Sequence, residues 1–317
     1  ISYAIILSQA RGKRKNNEKI CLFPANFRFT IVSYIIFRRN EMNHKLIFLD
    51  IDGTLCVPGS NVPPTSALEA IRKARAAGHL VFLCTGRNLG MLSPLLGYGF
   101  DGVVGSSGGY VTCGDTVIYD CPMTPEQQET AMEVLNRNGV FRTVECRDRS
   151  YTDEGFKEFL KEKARRDSNS EVLRWREQIE KDLGILPMAA YKGDPIYKMV
   201  LMCEDRTQLD EPVAVLSKDF AIVIQDDTSR GYVNGEMVLR CFDKGQAVRR
   251  VCDHFGLPLS DTFGYGDSMN DLEMIEVVGH SVVMANGSDT LKAMADEVCP
   301  AVEDDGLYAS FRRNGLI

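Results

Sequence analysis

At 317 residues and 44% apolar composition, the chain can bury one large core or two modest ones, and a folded globular protein is expected. A formal charge of −7 argues against a general nucleic-acid binder, which would carry a basic face for phosphates, and favours small ligands. Ten cysteines without a Cys-x-x-Cys pair and only four histidines exclude zinc-ligand spacing, while the lack of a long apolar run excludes a transmembrane helix; free thiols in a reducing cytoplasm are expected.

Residues 1–41 carry eight Lys or Arg against Glu18 and Glu41, which leaves the remainder near −13. Phe29 to Phe37 is too short to span a bilayer and lacks a small-residue cleavage site. This segment is expected to be an upstream extension or a mis-assigned start ahead of Met42, with a transit peptide as the alternative. No chemistry below depends on it.

From Lys45 onward, short apolar runs alternate with stretches of helical period, the signature of an α/β fold. Leu46 to Leu49 and Leu80 to Leu83 are continuous apolar runs, as expected of parallel strands buried on both faces. A helix over Thr65 to Ala77 joins them, with Gly78 to end it. Val103-Val104 forms a third strand, followed by a turn at Ser106 to Gly109 and a hairpin through Tyr110 to Tyr119. Pro122 marks a boundary.

Beyond it come a helix over Pro125 to Asn136, a strand near Val140 to Glu145 and a charged helical stretch from Gly155 to Leu183. Ile196 to Met202, Ala221 to Gln225 and Gly235 to Leu239 read as antiparallel strands, with a helix around Thr207 to Ser217. The first pattern then resumes: helix Lys244 to Phe255, strand Thr262 to Tyr265, helix Asn270 to Val277 and strand Ser281 to Met284. Residues 42–121 and 242–317 therefore form one domain, interrupted by an α+β module over 122–241. Glu303-Asp304-Asp305 is expected to be a solvated loop.

Asp50-Ile51-Asp52-Gly53 directly follows the first strand, so Asp50 projects into the crevice outside the carboxyl ends of a parallel sheet. Two neighbouring carboxylates repel unless a cation or shared proton intervenes, which offers one nucleophile and one acid or base. Gly53 permits a sharp turn whose N–H groups can face an anion. Three more polar clusters follow other strands. Thr85-Gly86-Arg87 can hold a phosphate oxygen, although Thr85 would also serve as a helix N-cap. Lys244 can neutralise a phosphate and Asp50 together, or lie exposed on its helix. Gly264 to Asp271 runs from a strand into a loop where Asp267 and Asp271 suit Mg²⁺, which prefers a few carboxylates and keeps several waters.

In this order, the four clusters resemble the haloacid dehalogenase (HAD) superfamily, and the interrupting module is similar to the cap of its Cof-type, IIB-capped phosphatases. The likeness covers about residues 44 to 317. It implies a Rossmann-like parallel-sheet core with an inserted α+β cap and a Mg²⁺-dependent phosphatase. Asp50 would be the nucleophile and Asp52 the acid and base. Asp50, Asp267 and the Asp52 carbonyl would hold Mg²⁺, and Asp271 would order its water. Gly53, Thr85, Gly86, Lys244 and Asn270 would bind phosphate, and Arg87 phosphate or substrate. Family members that make and break phosphoesters carry an acid at the Asp52 place, whereas its dehalogenases and P-type ATPases do not. One departure is Gly108, where relatives often carry Asn.

A small phosphorylated metabolite is the implied partner, foremost a sugar phosphate, with pyridoxal phosphate or a nucleotide as alternatives. A phosphomutase would use the same two aspartates to return phosphate to a sugar hydroxyl. A signalling receiver also accepts phosphate on an aspartate, but the chain is too long for one and Asp52 speaks against it. A catalytically silent phosphate-binding relative is the remaining alternative.

Overall fold

The computed structural model describes residues 44–156, 158–159, 185–225 and 231–317. Strands β1 (Leu46–Leu49), β2 (Leu80–Cys84) and β3 (Gly102–Gly105) are followed by the hairpin β4 (Tyr110–Cys113) and β5 (Thr116–Asp120). Helix α1 (Thr65–Ala76) joins β1 to β2, and α2 (Leu89–Leu96) joins β2 to β3. Helix α3 (Pro125–Arg137) then leads to β6 (Phe141–Cys146), β7 (Ser150–Thr152), β8 (Ile185–Pro187) and β9 (Ile196–Cys203). Helix α4 (Asp210–Leu216), β10 (Phe220–Gln225) and β11 (Val233–Leu239) complete this stretch. The chain returns through α5 (Lys244–Phe255), β12 (Thr262–Gly266), α6 (Leu272–Val277), β13 (His280–Met284), α7 (Asp289–Lys292), β14 (Glu297–Cys299) and α8 (Gly306–Arg313).

Two sheets result. The larger has eight strands in the order β14-β13-β12-β1-β2-β3-β4-β5, parallel from β14 to β3 and antiparallel thereafter. Central β1 alternates across it: Ile47 and Leu49 pack with Ala70, Ile71 and Ala74 of α1, while Leu46 and Phe48 pack with Ala247, Val248 and Val251 of α5. All four β1 residues are fully buried, each contributing roughly 1.5–3 kcal/mol of hydrophobic stabilisation. Because the chain runs from β1 toward β2 on one side and returns at β12 on the other, a crevice opens at the carboxyl ends of β1 and β12.

The second sheet, β10-β11-β9-β6-β7-β8, is antiparallel except for the parallel pair β7 and β8. One face buries Val144, Met199, Leu201 and Met237 against Ala131 and Leu135 of α3 and Leu216 of α4. Thr143, Glu145, Lys198 and Asn234, also buried, stand at alternate positions of β6, β9 and β11.

Several elements differ from the sequence expectation. For helix α2 the sequence marks only a start near Thr85 and no range; the helix is short, carries Pro94 inside, and starts from Asn88, whose side chain accepts from the Met91 amide at 3.1 Å. Thr85 is therefore no N-cap. Strands β7, β8 and β14, three residues each, are too short to display a period. The segment Asn270 to Val277 begins as a 3₁₀ turn, Met269–Asp271, before α6. Glu303 to Asp305 are exposed, as expected of a solvated segment, but lead directly into α8. Most of the charged stretch from Gly155 to Leu183, and all of residues 1–41, lie outside the described residues. No described helix is long and apolar enough to cross a membrane.

Candidate active site

The crevice gathers three turns. Asp50 follows β1, and its amide donates to the Tyr265 carbonyl of β12 at 2.9 Å, tying the turn to the neighbouring strand. The turn folds back through Leu55 N to Asp50 O and Gly53 N to Cys56 O. Gly53 adopts φ +93°, and a Cβ there would lie 2.4 Å from Asp267 Oδ2, so both backbone and space demand glycine. Asn286 Nδ2 donates to the Gly53 carbonyl, and Thr54 Oγ1 donates to Asp267 Oδ1 at 3.0 Å.

Asp50, Asp267 and Asp271 are buried, with one carboxylate oxygen of each within 4.8 Å of the others. Asp271 Oδ2 accepts from the amides of Asp267 and Ser268, so it braces the loop that carries Asp267. Burial, then the Asp271 charge, pushes Asp50 up to about 7 from 3.8. Burial, then the charges of Asp50 and Asp271, pushes Asp267 up to about 9. Such an oxygen-only, mutually repelling set fits a hard divalent cation, which would take over the charge that protons otherwise neutralise.

Lys244, at the start of α5, is not exposed: it is 2% accessible. Its Nζ donates to Asp50 Oδ1 at 2.7 Å, Asp271 Oδ1 at 2.6 Å and Asn270 Oδ1 at 3.3 Å. Burial alone would lower its pKa, but the Asp271 and Asp50 carboxylates outweigh that and hold it well above the ordinary lysine value. Asp243 caps the helix by accepting from Gln246 N at 2.6 Å. Gly108 closes against this cap: its φ is +103° and a Cβ would sit 2.4 Å from the Asp243 carbonyl oxygen, so glycine fits and any side chain would force the cap to shift.

The turn after β2 lies beside Asp50 because β1 and β2 pair in register, Leu49 opposite Leu83. Thr85 Oγ1 accepts from Arg87 N at 3.1 Å, and the Thr85 carbonyl accepts from Ser107 N at 3.0 Å. Ser106 and Ser107 both take positive φ, +49° and +58°, strained conformations at the rim of this turn. Arg87 is fully engaged elsewhere: Nε and Nη2 clasp the two Asp52 carboxylate oxygens at 3.0 and 2.6 Å, and Nη1 donates to Asn61 Oδ1 at 2.5 Å.

Sequence reasoning thus named Asp50, Asp267, Asp271, Lys244 and Asn270, which meet in one cluster, and Asp52 and Arg87, which pair beside it. It missed Asn61, Thr54 and Ser107, short polar residues in turns with no periodic signal. It also missed the second sheet's contribution: Lys198 Nζ lies 3.6 Å from where a Cβ on Gly86 would stand, and it pairs with Glu236 Oε1 at 2.5 Å and Glu145 Oε2 at 3.5 Å. Glu236, Arg240, Ser107, Lys244 and Asn270 line a cleft of about 330 Å³ between the sheets. At the rim, Leu89 N donates to the Arg147 carbonyl, and Asn88 Nδ2 to Arg149 O and Ser150 Oγ.

Gly53→Ala tests the tightness of the first turn. The methyl must displace the Asp267 carboxylate, so an apparent stability loss of about 1–3 kcal/mol and weaker divalent-cation binding are expected. Melting of both proteins across a Mg²⁺ titration reads both effects; an unchanged midpoint and titration curve would contradict this geometry.

Over 278 residues the chain is 27% identical to YkrA of Bacillus subtilis (strain 168), covering 87% of this chain and all of YkrA. It is 27% identical to the 5-amino-6-(5-phospho-D-ribitylamino)uracil phosphatase YwtE of the same organism, covering 83% of this chain and 95% of YwtE. Its fold is similar to that of BT4131, a HAD subclass IIB sugar phosphatase, with a TM-score of 0.66 at 21% identity over 86% of this chain and all of BT4131. The haloacid dehalogenase-like hydrolase family profile matches residues 47–311, the span that holds every one of these site residues, and the chain belongs to that family.

Proposed function

We propose that the protein is a Mg²⁺-dependent phosphomonoester hydrolase that transfers phosphate to Asp50 and then to water. The observation that carries this reading is the buried Lys244 joining Asp50 and Asp271 beside an independently held second carboxylate, Asp52. Asp50 attacks phosphorus in line, and the P–O bond to the leaving group breaks. Asp52, protonated once one of its oxygens leaves the Arg87 fork, gives that proton to the leaving oxygen, and as a carboxylate it later takes one from the water that cleaves the aspartyl-phosphate. Arg87 and Asn61 aim the Asp52 carboxyl, while Lys244, Asn270 and the Thr85–Gly86 turn bind the phosphoryl oxygens. Asp50, Asp267 and the Asp52 carbonyl would hold Mg²⁺ with Asp271 ordering its water; when bound, the ion neutralises phosphoryl charge.

Residues 122–241 act in this reading as a cap that excludes water and selects the leaving group. Glu236 and Arg240 line the cleft and Lys198 stands near Gly86, so the second sheet offers the site charged donors and acceptors, which favours a polyhydroxylated leaving group such as a sugar. The ribityl phosphate in the name of YwtE is consistent with that choice. Phosphate release from sugar phosphates, pyridoxal phosphate and p-nitrophenyl phosphate, with Mg²⁺ or EDTA, tests the proposal. A folded, Mg²⁺-loaded protein inactive on every one would overturn it.

The role of Asp52 has its own signature. Asp52→Asn is expected to slow hydrolysis of alkyl phosphates by about 10²–10⁴-fold. p-Nitrophenyl phosphate, whose leaving group needs no proton, should lose less in the step that forms the phosphoenzyme. Rapid-quench kinetics on both esters distinguish this from a general disturbance, which would slow both equally.

A further inference from the structure

The chain passes between the two sheets twice, from β5 into α3 and from β11 into α5. Each passage carries a cysteine one or two residues beyond its strand: Cys121 after Asp120, and Cys241 after Leu239 and Arg240. Their sulfurs lie 3.5 Å apart, although 120 residues separate them in sequence. Both passages are anchored on the same part of the larger sheet. Cys121 N donates to the Gly109 carbonyl, the Phe242 ring packs where a Gly109 side chain would be, and Arg250 Nη2 donates to the Cys241 carbonyl. Among the described cysteines, Cys241 is exposed and Cys121 partly so, whereas the others are buried.

We propose that Cys121 and Cys241 form a reversible disulfide that ties the two passages together and restrains the sheets from separating. A disulfide needs its sulfurs at about 2 Å, so the present 3.5 Å separation has to close by about 1.5 Å through side-chain rotation. The oxidant is a low-molecular-weight disulfide. The Cys241 thiolate attacks one of its sulfurs, forming a mixed disulfide and releasing one thiolate. The Cys121 thiolate then displaces the second, forming the Cys121–Cys241 bond. The two cysteine protons pass to the released thiolates, so the pair loses two electrons and the reagent becomes two thiols. Burial and the adjacent Cys121 raise the Cys241 thiol above its ordinary value, so the exchange accelerates with rising pH.

The consequence follows from how closed the site is. Asp50 is 5% accessible, and Lys198 of the second sheet is buried near Gly86 of the first. Any parting of the sheets that admits substrate or releases product turns on residues 121–124 and 240–243, the described connections between them. A bond across both removes their independent torsion. Sequence patterning shows no redox signal, because the pairing depends on two distant linkers meeting in space.

The test uses the full chain in a Cys21→Ser background, since Cys21 lies outside the described residues. It is incubated with oxidised glutathione, alkylated and mapped by mass spectrometry. The expected products are a linked Cys121–Cys241 peptide lacking two hydrogens, slower amide exchange in 147–150 and at Leu89, and turnover at least about threefold lower. Dithiothreitol should reverse all three, and Cys241→Ser should show none. A persistent glutathione adduct without the linked peptide would overturn the proposal. So would a linked peptide with unchanged exchange. Mapping and exchange need no activity, so their failure is separable from failure of the phosphatase reading.

Discussion

Replacing Asp50 with asparagine is expected to lower phosphomonoester turnover by at least about 10⁴-fold while the protein stays folded. The amide keeps the shape of the side chain but lacks an anionic oxygen to attack phosphorus. Folding should survive because Lys244 retains Asp271 at 2.6 Å, and Asn can still accept from its ammonium through the amide oxygen. The metal-free variant should melt no lower than wild type: one of three crowded, desolvated carboxylates is gone, and with it a charge that raises Asp267. Single-turnover phosphate release and intact-mass detection of a quenched phosphoenzyme read the chemistry, and thermal melts in EDTA read the stability. Retention of turnover within about tenfold of wild type would move the nucleophile away from Asp50.

How much of this was legible in the sequence depended on the kind of signal each part leaves. Leu46 to Leu49 reads as a central strand because burial on both faces demands an unbroken apolar run, and that run points at Asp50. Lys244 was identified by position, but its burial was not: nothing local distinguishes a helix-start lysine in solvent from one enclosed by Asp50, Asp271 and Asn270. Arg87 illustrates the converse. Its place after Thr85-Gly86 suggested phosphate, whereas its fork grips Asp52, 35 residues earlier, with Asn61 from an intervening loop. The extent of helix α2 was not legible because Gly90 and Pro94 punctuate it, and its apolar face is broad rather than periodic. Lys198 sits inside an otherwise apolar β9, where a fully buried ammonium is understandable only once Glu236 and Glu145 arrive from β11 and β6.

Removal of the Lys244 ammonium should be the most damaging change to the metal-free protein. Lys244→Met keeps much of the buried stem but leaves Asp50 and Asp271 without the cation between them, and breaking such a buried pair costs about 3–5 kcal/mol. Turnover should also fall by about 10²–10³-fold, because the phosphoryl oxygens lose a fixed positive charge. The pH dependence identifies the cause. Asp50 and Asp267 titrate near 7 and 9 in the folded protein against 3.8 unfolded, so between these values the unfolded chain holds fewer protons than the native one. Their contribution to stability is complete below pH 3.8 and is lost as pH rises through 7 and then 9. Metal-free wild type should therefore lose stability from these groups between pH 6 and 9, and Lys244→Met should lose more. Mg²⁺ should offset the loss in wild type, with protons released on binding, because the cation replaces them among the carboxylates. Chemical denaturation at several pH values, with EDTA or Mg²⁺, together with calorimetry in buffers of different ionisation enthalpy, measures both effects. If Mg²⁺ binds without proton release near pH 7, and the penalty of Lys244→Met is independent of pH, the lysine is not the counter-charge that keeps this acidic site folded.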